Sequence, residues 1–344
     1  MSCNYTSGIP VKHINMEEVV LDLSGKNVVY IGGFGGIGLE TCKQLLQKGL
    51  ANLMILDQAW NESAFKDINV VDTKSVCQFM AFDVTCGLEE TRKVFARIVE
   101  KFGHIDVLIN GAGICDERDY DLIISINFTG TINATLVAYD LMDKSRGGRG
   151  GVVVNISSVA ALTPFPVLPI YSATKGGILN FTRALAQLEP KTGITLYTIC
   201  PGLTDTTHWE NVHYFLGKDL QLRERSRRIV QTQPIADCAM NIIKAIETHA
   251  NGATWMCDLG QLKLVEIKNF WTPPHKQNKE TEQKKDTEQA QERESTKDTT
   301  QNEASRQEQK KENESDATLP LRKRKYRVSD LGKDMQNMKT AIEY

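Results

Sequence analysis

The stretch from residue 27 to residue 48, NVVYIGGFGGIGLETCKQLLQK, decides the fold. It begins with a short apolar run at residues 27–31, which predicts a strand buried on both faces. The glycine-rich segment Gly32–Gly38 follows directly, and residues 37–48 then place apolar side chains near one face of a helix. A strand, a glycine turn and a helix in this order predict the first unit of a parallel α/β sheet.

The glycine segment also predicts a ligand. Gly33, Gly35 and Gly38 fit the spacing G-x-G-x-x-G, which permits a tight turn, a close approach of backbone to a pyrophosphate and close helix packing. The free N–H groups of the following helix attract phosphate. A tight turn without a ligand remains the alternative for this loop taken alone. The predicted contacts are Gly32, Gly33, Gly35, Gly36, Ile37 and Gly38.

Composition limits the possible classes of protein. The chain has 344 residues, 41 Lys and Arg against 43 Asp and Glu, and 41% hydrophobic residues. This balance excludes a wholly disordered chain and a broadly basic nucleic-acid binder. The 8 cysteines show no CxxC pair and no His/Cys cluster, so they predict free thiols, no metal site and a reducing cytoplasmic compartment. No signal-peptide order and no membrane span are expected.

Apolar runs recur along the chain between amphipathic stretches. This alternation predicts a single Rossmann-type, doubly wound parallel sheet of about seven strands. The expected organisation is a leader at residues 1–22, one domain at 23–272 and a tail at 273–344. The runs lie near residues 27–31, 52–56, 76–80, 105–109, 151–155, 194–199 and 254–256.

The predicted tail is charged and poor in apolar residues. Residues 276–316 hold 21 charged residues out of 41, with no aromatic residue and no Gly, so we expect disorder there. The basic run Arg322–Arg327 fits either a solvated stretch or a nuclear-import or anion-binding patch.

Polar and small residues follow several predicted strands at the edge where a dinucleotide would lie. Asp57 comes 19 residues after Gly38, where a carboxylate accepts ribose hydroxyls and repels a 2′-phosphate, which favours NAD over NADP. Asp83 and Val84 suit the adenine, although Asp83 also suits a helix N-cap. Close passage of a ribose is expected at Asn110, Gly111, Ala112 and Gly113.

A second group of residues predicts acid–base chemistry. Tyr171 and Lys175 are four residues apart at the start of a predicted helix, which places them on one face. A nearby ammonium is expected to lower the pKa of the phenol and make Tyr171 a general acid/base. Ser158, 13 residues before Tyr171, is expected to hold a substrate oxygen.

Taken together, these motifs resemble the short-chain dehydrogenase/reductase family over roughly residues 23–266. The similarity is strongest to insect-type alcohol dehydrogenases and their fat-body relatives, and next to 15-hydroxyprostaglandin dehydrogenases. Ile31 and Gly32 depart from residues common in that family, and the tail has no counterpart there. A second glycine-rich stretch, residues 146–151, precedes a strand, so we interpret it as a flexible connection.

The resemblance implies specific roles. Tyr171 exchanges the alcohol proton, Lys175 lowers its pKa and binds the nicotinamide ribose, Ser158 orients the substrate oxygen and Asn127 supports a water. It also implies NAD as cofactor and homodimerisation through residues 120–142 and 171–188. The segment near the nicotinamide is Pro201, Gly202, Leu203 and Thr204, with substrate contacts expected from Leu203 to about Val230, including Trp209, Tyr214, Phe215 and Leu216, and from Pro164 to Leu168.

Two functions from different classes remain at this stage. The first is an NAD-dependent oxidoreductase that interconverts an alcohol, with a secondary alcohol favoured, and its ketone or aldehyde; a hydroxy-fatty acid or prostaglandin-like alcohol is the alternative substrate. The second is a dinucleotide-binding storage or interaction protein with little turnover. Ser158, Tyr171 and Lys175 together favour the first, because a binding module has no chemical need for all three.

Overall fold

The structure is a computed structural model that describes residues 21–70, 74–206 and 231–268. All of them belong to one compact unit, Met1–Asn269. The predicted tail, including Arg322–Arg327, lies outside the described residues, and so does nearly all of the predicted leader.

The described residues form one eight-stranded sheet of order β3-β2-β1-β4-β5-β6-β7-β8. Strands β1 to β7 run parallel, and β8 pairs antiparallel with β7. The predicted doubly wound α/β fold is therefore confirmed. The strands are β1 Asn27–Ile31, β2 Asn52–Asp57, β3 Val76–Ala81, β4 Val107–Asn110, β5 Gly151–Ile156, β6 Ile194–Pro201, β7 Thr254–Asp258 and β8 Gln261–Leu264.

Helices connect the parallel strands. A π-helical turn, Ser125–Gly130, joins α4 to α5, and short 3₁₀ turns lie at Lys144–Arg146 and Val159–Ala161. The α-helices are α1 Gly36–Leu46, α2 Glu62–Ile68, α3 Leu88–Phe102, α4 Tyr120–Ile124, α5 Thr131–Met142, α6 Pro169–Ala186, α7 Glu189–Thr192 and α8 Ile235–Glu247.

The sheet is buried on both faces, as the continuous apolar runs predict. In β1, Val28 and Tyr30 join a core cluster that includes side chains of α1 and α8. Val29 and Ile31 point to the other face and join a cluster that includes α3 and α5. This alternation follows from the two-residue period of a strand. Because helices cover both faces, the sheet forms the middle layer of the domain.

The position of β1 creates a crevice at one edge of the sheet. β1 pairs with β2 on one side and with β4 on the other, so the chain continues in opposite directions from this point. Loops that leave the carboxyl ends of β1 and β4 diverge there, and open α/β sheets bind ligands in such a crevice. The glycine segment lies in this position.

The eighth strand was not predicted. Gln261–Leu264 is only four residues long, alternates exposed and half-buried side chains, and lacks the continuous apolar run of the other strands. A tight turn at Leu259 and Gly260, with φ of 48° and 72°, reverses the chain and makes the last pair antiparallel. The strand count of seven therefore missed an edge strand with a weak sequence signal.

The second glycine-rich stretch forms a closed turn. Gly150 N donates to Met142 O at 2.7 Å, and Gly148 N donates to Asp143 O at 2.9 Å. The stretch leads into the amino end of β5, the edge opposite to the one where the first glycine segment leaves β1. It therefore lies away from the crevice, as expected from the strand that follows it.

One continuous helical stretch, Tyr120–Met142, has a mean hydropathy of 1.4 and the length needed to cross a membrane. Half of its apolar window is buried inside the domain. Ile126, Ala134 and Val137 belong to the core cluster beneath the sheet. The same length and composition are found in core helices, so this stretch is weak evidence for a membrane span.

Candidate functional site

The glycine segment packs so tightly that side chains would not fit at several positions. Gly32 has a φ of 83°, and a Cβ there would lie 2.7 Å from Ala112 N. A Cβ on Gly38 would overlap Gly32 O and lie 3.0 Å from Gly33 Cα. At Gly33 a Cβ would lie 2.8 Å from Ile55 in the sheet. The glycines therefore let the loop pass close to β2, to the loop after β4 and to its own backbone.

The first turn of α1 is suited to a phosphate group. Its N-cap is Gly35, and no side chain of the described residues caps it. The first amides of a helix have no intrahelical acceptor, and they carry the positive end of the helix dipole. A Cβ on Gly35 would meet only Gly32 O, at 3.5 Å, so the space beside this residue is open. These features fit the pyrophosphate of a dinucleotide.

Asp57 stands at the carboxyl end of β2 and contacts the glycine segment. Its Oδ2 accepts a hydrogen bond from Phe34 N at 3.0 Å, and its Oδ1 accepts one from Gln58 N at 2.8 Å. The Phe34 ring stacks on Phe79 with 5.3 Å between centroids and meets Trp60 edge-on. An aromatic cluster thus supports the residue that orients the carboxylate.

One cavity of about 360 Å³ joins the glycine segment to the predicted acid–base group. Its lining comes from the loops after β1, β4, β5 and β6 and from the start of α6. Predicted site residues along it are Gly32, Gly35, Gly36, Ile37, Gly38, Gly111, Ser158, Tyr171, Lys175, Pro201, Gly202 and Thr204.

Ser158 and Tyr171 meet in this cavity. The Ser158 side chain acts on the phenol to lower the pKa of Tyr171, but desolvation, the larger effect, leaves that pKa raised above its ordinary value. Ser158 Oγ also accepts a hydrogen bond from Ala160 N at 3.1 Å, which fixes the serine at the start of a 3₁₀ turn. The neighbouring Ser157 donates a hydrogen bond to Lys175 O. The 13-residue spacing to Tyr171 selects Ser158, and not Ser157, as the site residue.

Lys175 lies beside the phenol ring, with its Nζ 5.6 Å from the ring centroid. Its Nζ donates a hydrogen bond to Ile156 O at 3.1 Å, and only 5% of the residue is exposed. Burial lowers the pKa of Lys175 to about 8. The ammonium therefore remains mostly protonated at neutral pH.

The expected lowering of the Tyr171 pKa is wrong for the protein alone. Removal of solvent from the ring raises the pKa of Tyr171, and the nearby Cys115 and Cys200 thiols act in the same direction. Lys175, with its Nζ 5.6 Å from the ring centroid, does not offset this effect. The phenol is therefore protonated at neutral pH until another positive charge enters the cavity.

Asn127 lies in the π-helical turn, fully buried. Its Oδ1 accepts from Ile114 N and its Nδ2 donates to Ile114 O, both at 2.8 Å. A Cβ on Gly113 would lie 3.3 Å from both Asn127 Oδ1 and Lys175 Nζ. The structure thus brings Asn127 close to Lys175. The Asn127 side chain forms its hydrogen bonds with the loop after β4.

Several predicted residues lie outside the cavity lining and have other contacts. Asn110 Nδ2 donates to Asn155 Oδ1 at 2.7 Å and to Thr135 Oγ1 at 3.0 Å, inside the domain. Asp83 accepts from Thr85 N and Thr85 Oγ1, both at 2.8 Å, and these bonds lower the pKa of Asp83. Asp83 does not cap α3, whose N-cap is Gly87. The remaining members of this group are Gly33, Asp57, Val84, Ala112 and Asn127.

Two residues in contact with Tyr171 were not predicted from the sequence. Cys115 lines the cavity and packs with Leu168 and Tyr171. Glu117 is 6% exposed, and its carboxylate accepts from Ile170 N at 3.1 Å and Tyr171 N at 2.8 Å. Glu117 thereby caps the helix that carries the phenol. No sequence spacing relates it to Tyr171, because the contact joins the loop after β4 to the first turn of α6.

Part of the predicted substrate region lies outside the described residues. The structure describes Leu203 and Thr204, which line the cavity, but not residues 207–230 with Trp209, Tyr214, Phe215, Leu216 and Val230. On the other side, Phe165 and Leu168 of the predicted second wall do line the cavity.

A sequence profile described as short chain dehydrogenase matches residues 26–215, more than half of the chain. The chain belongs to the short-chain dehydrogenase family. Members of this family are oxidoreductases that bind a nicotinamide dinucleotide. The cavity agrees with this activity, because the glycine segment lines one end and the acid–base residues Ser158, Tyr171 and Lys175 line the other.

Solved structures of this short-chain dehydrogenase family share the fold. Levodione reductase has a TM-score of 0.61 and 22% identity, and the match covers 70% of this chain and 98% of that chain. NAD⁺-bound xylitol dehydrogenase has a TM-score of 0.57 and 22% identity, over 69% and 99%. ElxO with NADP bound has a TM-score of 0.55 and 26% identity, over 69% and 98%. The two bound cofactors differ, so the similarity to these structures does not distinguish NAD from NADP as the cofactor of this protein.

Proposed function

We propose that this short-chain dehydrogenase uses NAD to interconvert an alcohol, with a secondary alcohol favoured, and its ketone or aldehyde. The observation that supports the proposal most directly is the single cavity that connects the glycine segment with Ser158, Tyr171 and Lys175. With its pyrophosphate held at the first turn of α1, a dinucleotide would have this cavity, which reaches Tyr171, available for its nicotinamide end.

Each catalytic side chain has one task in this proposal. During oxidation, Tyr171 takes the hydroxyl proton of the alcohol, while Ser158 holds the same oxygen by a hydrogen bond. NAD would supply the acceptor for the hydride that leaves the carbon, and the positive charge of its ring. The carbonyl product leaves with two hydrogens fewer than the alcohol, and the proton remains with Tyr171 for release to solvent.

Lys175 contributes part of the positive charge that this proton transfer needs, and the ring of bound NAD would contribute the rest. Burial raises the pKa of Tyr171, so the phenol needs nearby cations to act as a base. With a pKa of about 8, Lys175 keeps most of its charge at pH 7. Its bond to Ile156 O holds the ammonium beside the ring. Asn127, packed on the other side of Gly113, supports this arrangement.

Asp57 supports NAD as the cofactor. Its carboxylate ends β2 and is held by Phe34 N from the loop that would bind the phosphates. A carboxylate in this position accepts hydrogen bonds from ribose hydroxyls and repels the extra phosphate of NADP. Val84 and Asp83, at the end of the next strand, belong to the adenine end in the same proposal.

Removing the Asp57 carboxylate should weaken the preference for NAD. We expect Asp57→Ala to lower kcat/KM with NAD about tenfold and to raise it with NADP about tenfold, since charge repulsion across a binding site is worth several kcal/mol. Steady-state kinetics with both cofactors at varied concentration measure the ratio. Asp57→Asn is the matched variant, because it removes the charge and keeps the side-chain shape and one acceptor oxygen, which can serve Phe34 N but not Gln58 N as well. An unchanged ratio in both variants would contradict the role of Asp57.

The wall around the phenol favours an apolar substrate. Cys115 and Leu168 are buried there, and Phe165 and Val167 pack against them beside Tyr171. Such a wall offers apolar contact and few hydrogen-bond partners, which suits a small aliphatic or a lipid-like alcohol. The similarity to insect-type alcohol dehydrogenases supports the former, and the similarity to prostaglandin dehydrogenases the latter.

A substrate panel tests the proposed reaction. Full-length protein is incubated with saturating NAD and primary, secondary, hydroxy-fatty and prostaglandin-like alcohols, and NADH formation is recorded. We expect turnover with at least one secondary alcohol and none without Tyr171. NAD binding with no turnover for any alcohol would contradict the proposal and support a binding or storage protein.

We further propose that two copies assemble through the helices at residues 120–142 and 171–188. Tyr120, Leu122 and Ile124 of α4 are 57%, 43% and 39% exposed, and Leu188 after α6 is 46% exposed, so apolar side chains remain uncovered there.

The free thiols of the described residues agree with a cytoplasmic location, which we propose for the enzyme.

A further inference from the structure

The helix that carries the phenol begins with a first turn that cannot cap itself. α6 starts at Pro169, and its N-cap residue, Leu168, has an apolar side chain with no acceptor. The first intrahelical bond is donated by Ser172 N to Leu168 O, at 2.9 Å. Pro169 has no N–H group. The amides of Ile170 and Tyr171 are therefore left without an acceptor in the helix itself.

Glu117 satisfies both of these amides at once. Its Oε2 accepts from Ile170 N at 3.1 Å and its Oε1 accepts from Tyr171 N at 2.8 Å, so each carboxylate oxygen has one amide. Only 6% of Glu117 is exposed. Bonds from amides to a buried carboxylate are charge-assisted, and the positive end of the helix dipole strengthens them. Glu117 thus ties two successive residues of the first turn to the loop after β4.

The loop that carries Glu117 is itself fixed at its other end. The Asn127 side chain bonds to both the backbone N and the backbone O of Ile114, at 2.8 Å each. Glu117 follows three residues later, and between them Cys115 packs with Leu168 and the phenol ring. The loop is therefore a short, anchored connection between Asn127 and the turn that carries the phenol.

Two helix N-termini lie beside the cavity, and they differ in how their amides are satisfied. The first turn of α1, after Gly35, is open and suited to a ligand phosphate. The first turn of α6 already holds a carboxylate of the chain itself, so its amides are not available to an anion. The N-terminus of α6 is thus built as a fixed support for Tyr171.

We propose that Glu117 is a positioning residue for the catalytic reaction: by fixing the first turn of α6, it holds the Tyr171 phenol where it meets Ser158 and the substrate oxygen. The phenolic oxygen lies at the far end of a long side chain, so a small tilt of the turn displaces it. Glu117 is not among the residues that line the cavity, and it acts only through the backbone of the turn. The inference rests on the proposed function, because that function gives the phenol its role in proton transfer.

A double-mutant cycle separates positioning from general damage. Glu117→Gln keeps the size of the side chain but leaves one acceptor oxygen for two amides, and its NH₂ group then faces a donor. We expect it to lower kcat with the best alcohol of the panel about tenfold to a hundredfold, since small misplacements of reacting groups have effects of this size. In the Tyr171→Phe background no phenolic oxygen remains to be misplaced, so the same substitution should lower the residual kcat less than about threefold.

A spectroscopic measurement follows the ring without turnover. Full-length protein is produced with 3-fluorotyrosine, and the ¹⁹F resonance of Tyr171 is identified by its loss in Tyr171→Phe. We expect this resonance to move or broaden in Glu117→Gln, because the ring leaves its place beside Cys115. The resonances of other buried tyrosines, such as Tyr30 and Tyr197, should stay in place.

Glu62→Gln is the matched control. It makes the same change in the first turn of α2, where the Glu62 side chain is 67% exposed, and should leave both kcat and the Tyr171 resonance unchanged. Circular dichroism and thermal unfolding confirm that each protein is folded. If Glu117→Gln does not fold, Glu117→Asp, which keeps the charge and shortens the side chain by one methylene, is carried through the same measurements with the same expected directions.

The outcomes distinguish the two proposals. An equal loss of kcat in the wild-type and Tyr171→Phe backgrounds, an unchanged kcat in the folded Glu117 variant, or an unmoved Tyr171 resonance would each overturn the role of Glu117 and leave the proposed function standing. Absence of turnover by the folded wild type with every alcohol would contradict the proposed function, which the role of Glu117 requires. The wild-type rate therefore tells the two failures apart.

Discussion

Tyr171→Phe is expected to lower kcat about a thousandfold and to change the dissociation constant for NAD less than about threefold, since positioned acid–base groups contribute 10²–10⁴ in rate. The substitution removes only the phenolic oxygen, which meets Ser158 in the cavity, and keeps the ring that packs against Cys115 and Leu168. Steady-state kinetics with the best alcohol of the panel and calorimetry with NAD measure the two quantities.

The pH dependence provides the control for this prediction. Alcohol oxidation needs the phenolate, and burial raises the pKa of Tyr171, so the wild-type kcat/KM should rise with pH from neutrality upward. The residual rate of Tyr171→Phe should lack that rise. A variant that loses NAD binding as strongly as turnover, or that retains most of its turnover, would contradict the catalytic role of Tyr171.

Gly38→Ala is expected to raise the dissociation constant for NAD about fivefold to 150-fold, because an overpacking cost of about 1–3 kcal/mol arises in the loop that binds phosphate. The new Cβ would overlap Gly32 O and lie 3.0 Å from Gly33 Cα, and both are backbone atoms that cannot rotate away. The free energy of unfolding, measured in urea, should drop by about 1–3 kcal/mol for the same reason.

Gly176→Ala is the matched control for this glycine substitution. Gly176 lies in α6 next to Lys175, and a Cβ there would meet nothing within 4 Å. Alanine in the interior of a helix is favoured over glycine by about 0.5–1 kcal/mol, so this variant should be slightly more stable and bind NAD as the wild type does. Wild-type affinity and stability in Gly38→Ala would contradict the packing described for the loop.

The sequence predicted most of the fold because buried parallel strands have a strong signature. The run at residues 27–31, followed by the glycine segment, predicts both β1 and the position of the crevice, and the structure confirms both. The spacing of Val94, Phe95 and Ile98 predicts an amphipathic helix over residues 88–102, and α3 has these bounds. β4 begins two residues later than its apolar run, at Val107, because the Asp106 side chain turns back to accept from Asn27 N.

The candidate site was predictable where spacing along one element fixes geometry. Tyr171 and Lys175 share a face of α6 because they are one helical turn apart. Ser158 and Tyr171 lie on different elements, and the structure brings the Ser158 side chain to the phenol. This proximity could be predicted because the family motif contains both residues. The assignments at Asp57, Asp83 and Val84 remain predictions about the adenine end of the cofactor.

Contacts between distant loops could not be predicted. Glu117 caps α6 across 54 residues, and Gln233 meets Thr204 across 29, with no periodic pattern in either case. The pKa of Tyr171 also depends on burial, which residue spacing does not report; the prediction considered only the nearby ammonium and therefore gave the wrong direction.

The cysteines of the folded domain differ in exposure and in thiol reactivity. Of those that the structure describes, Cys86 is exposed, Cys77 is half-buried and the others are buried. Burial raises the pKa of both Cys115 and Cys200 to about 12. The thiolate is the nucleophilic form of cysteine, so these interior thiols are inert to alkylating reagents at neutral pH. Among the described thiols, Cys86 therefore offers one selective anchoring point for attaching a dye or a solid support to the native enzyme.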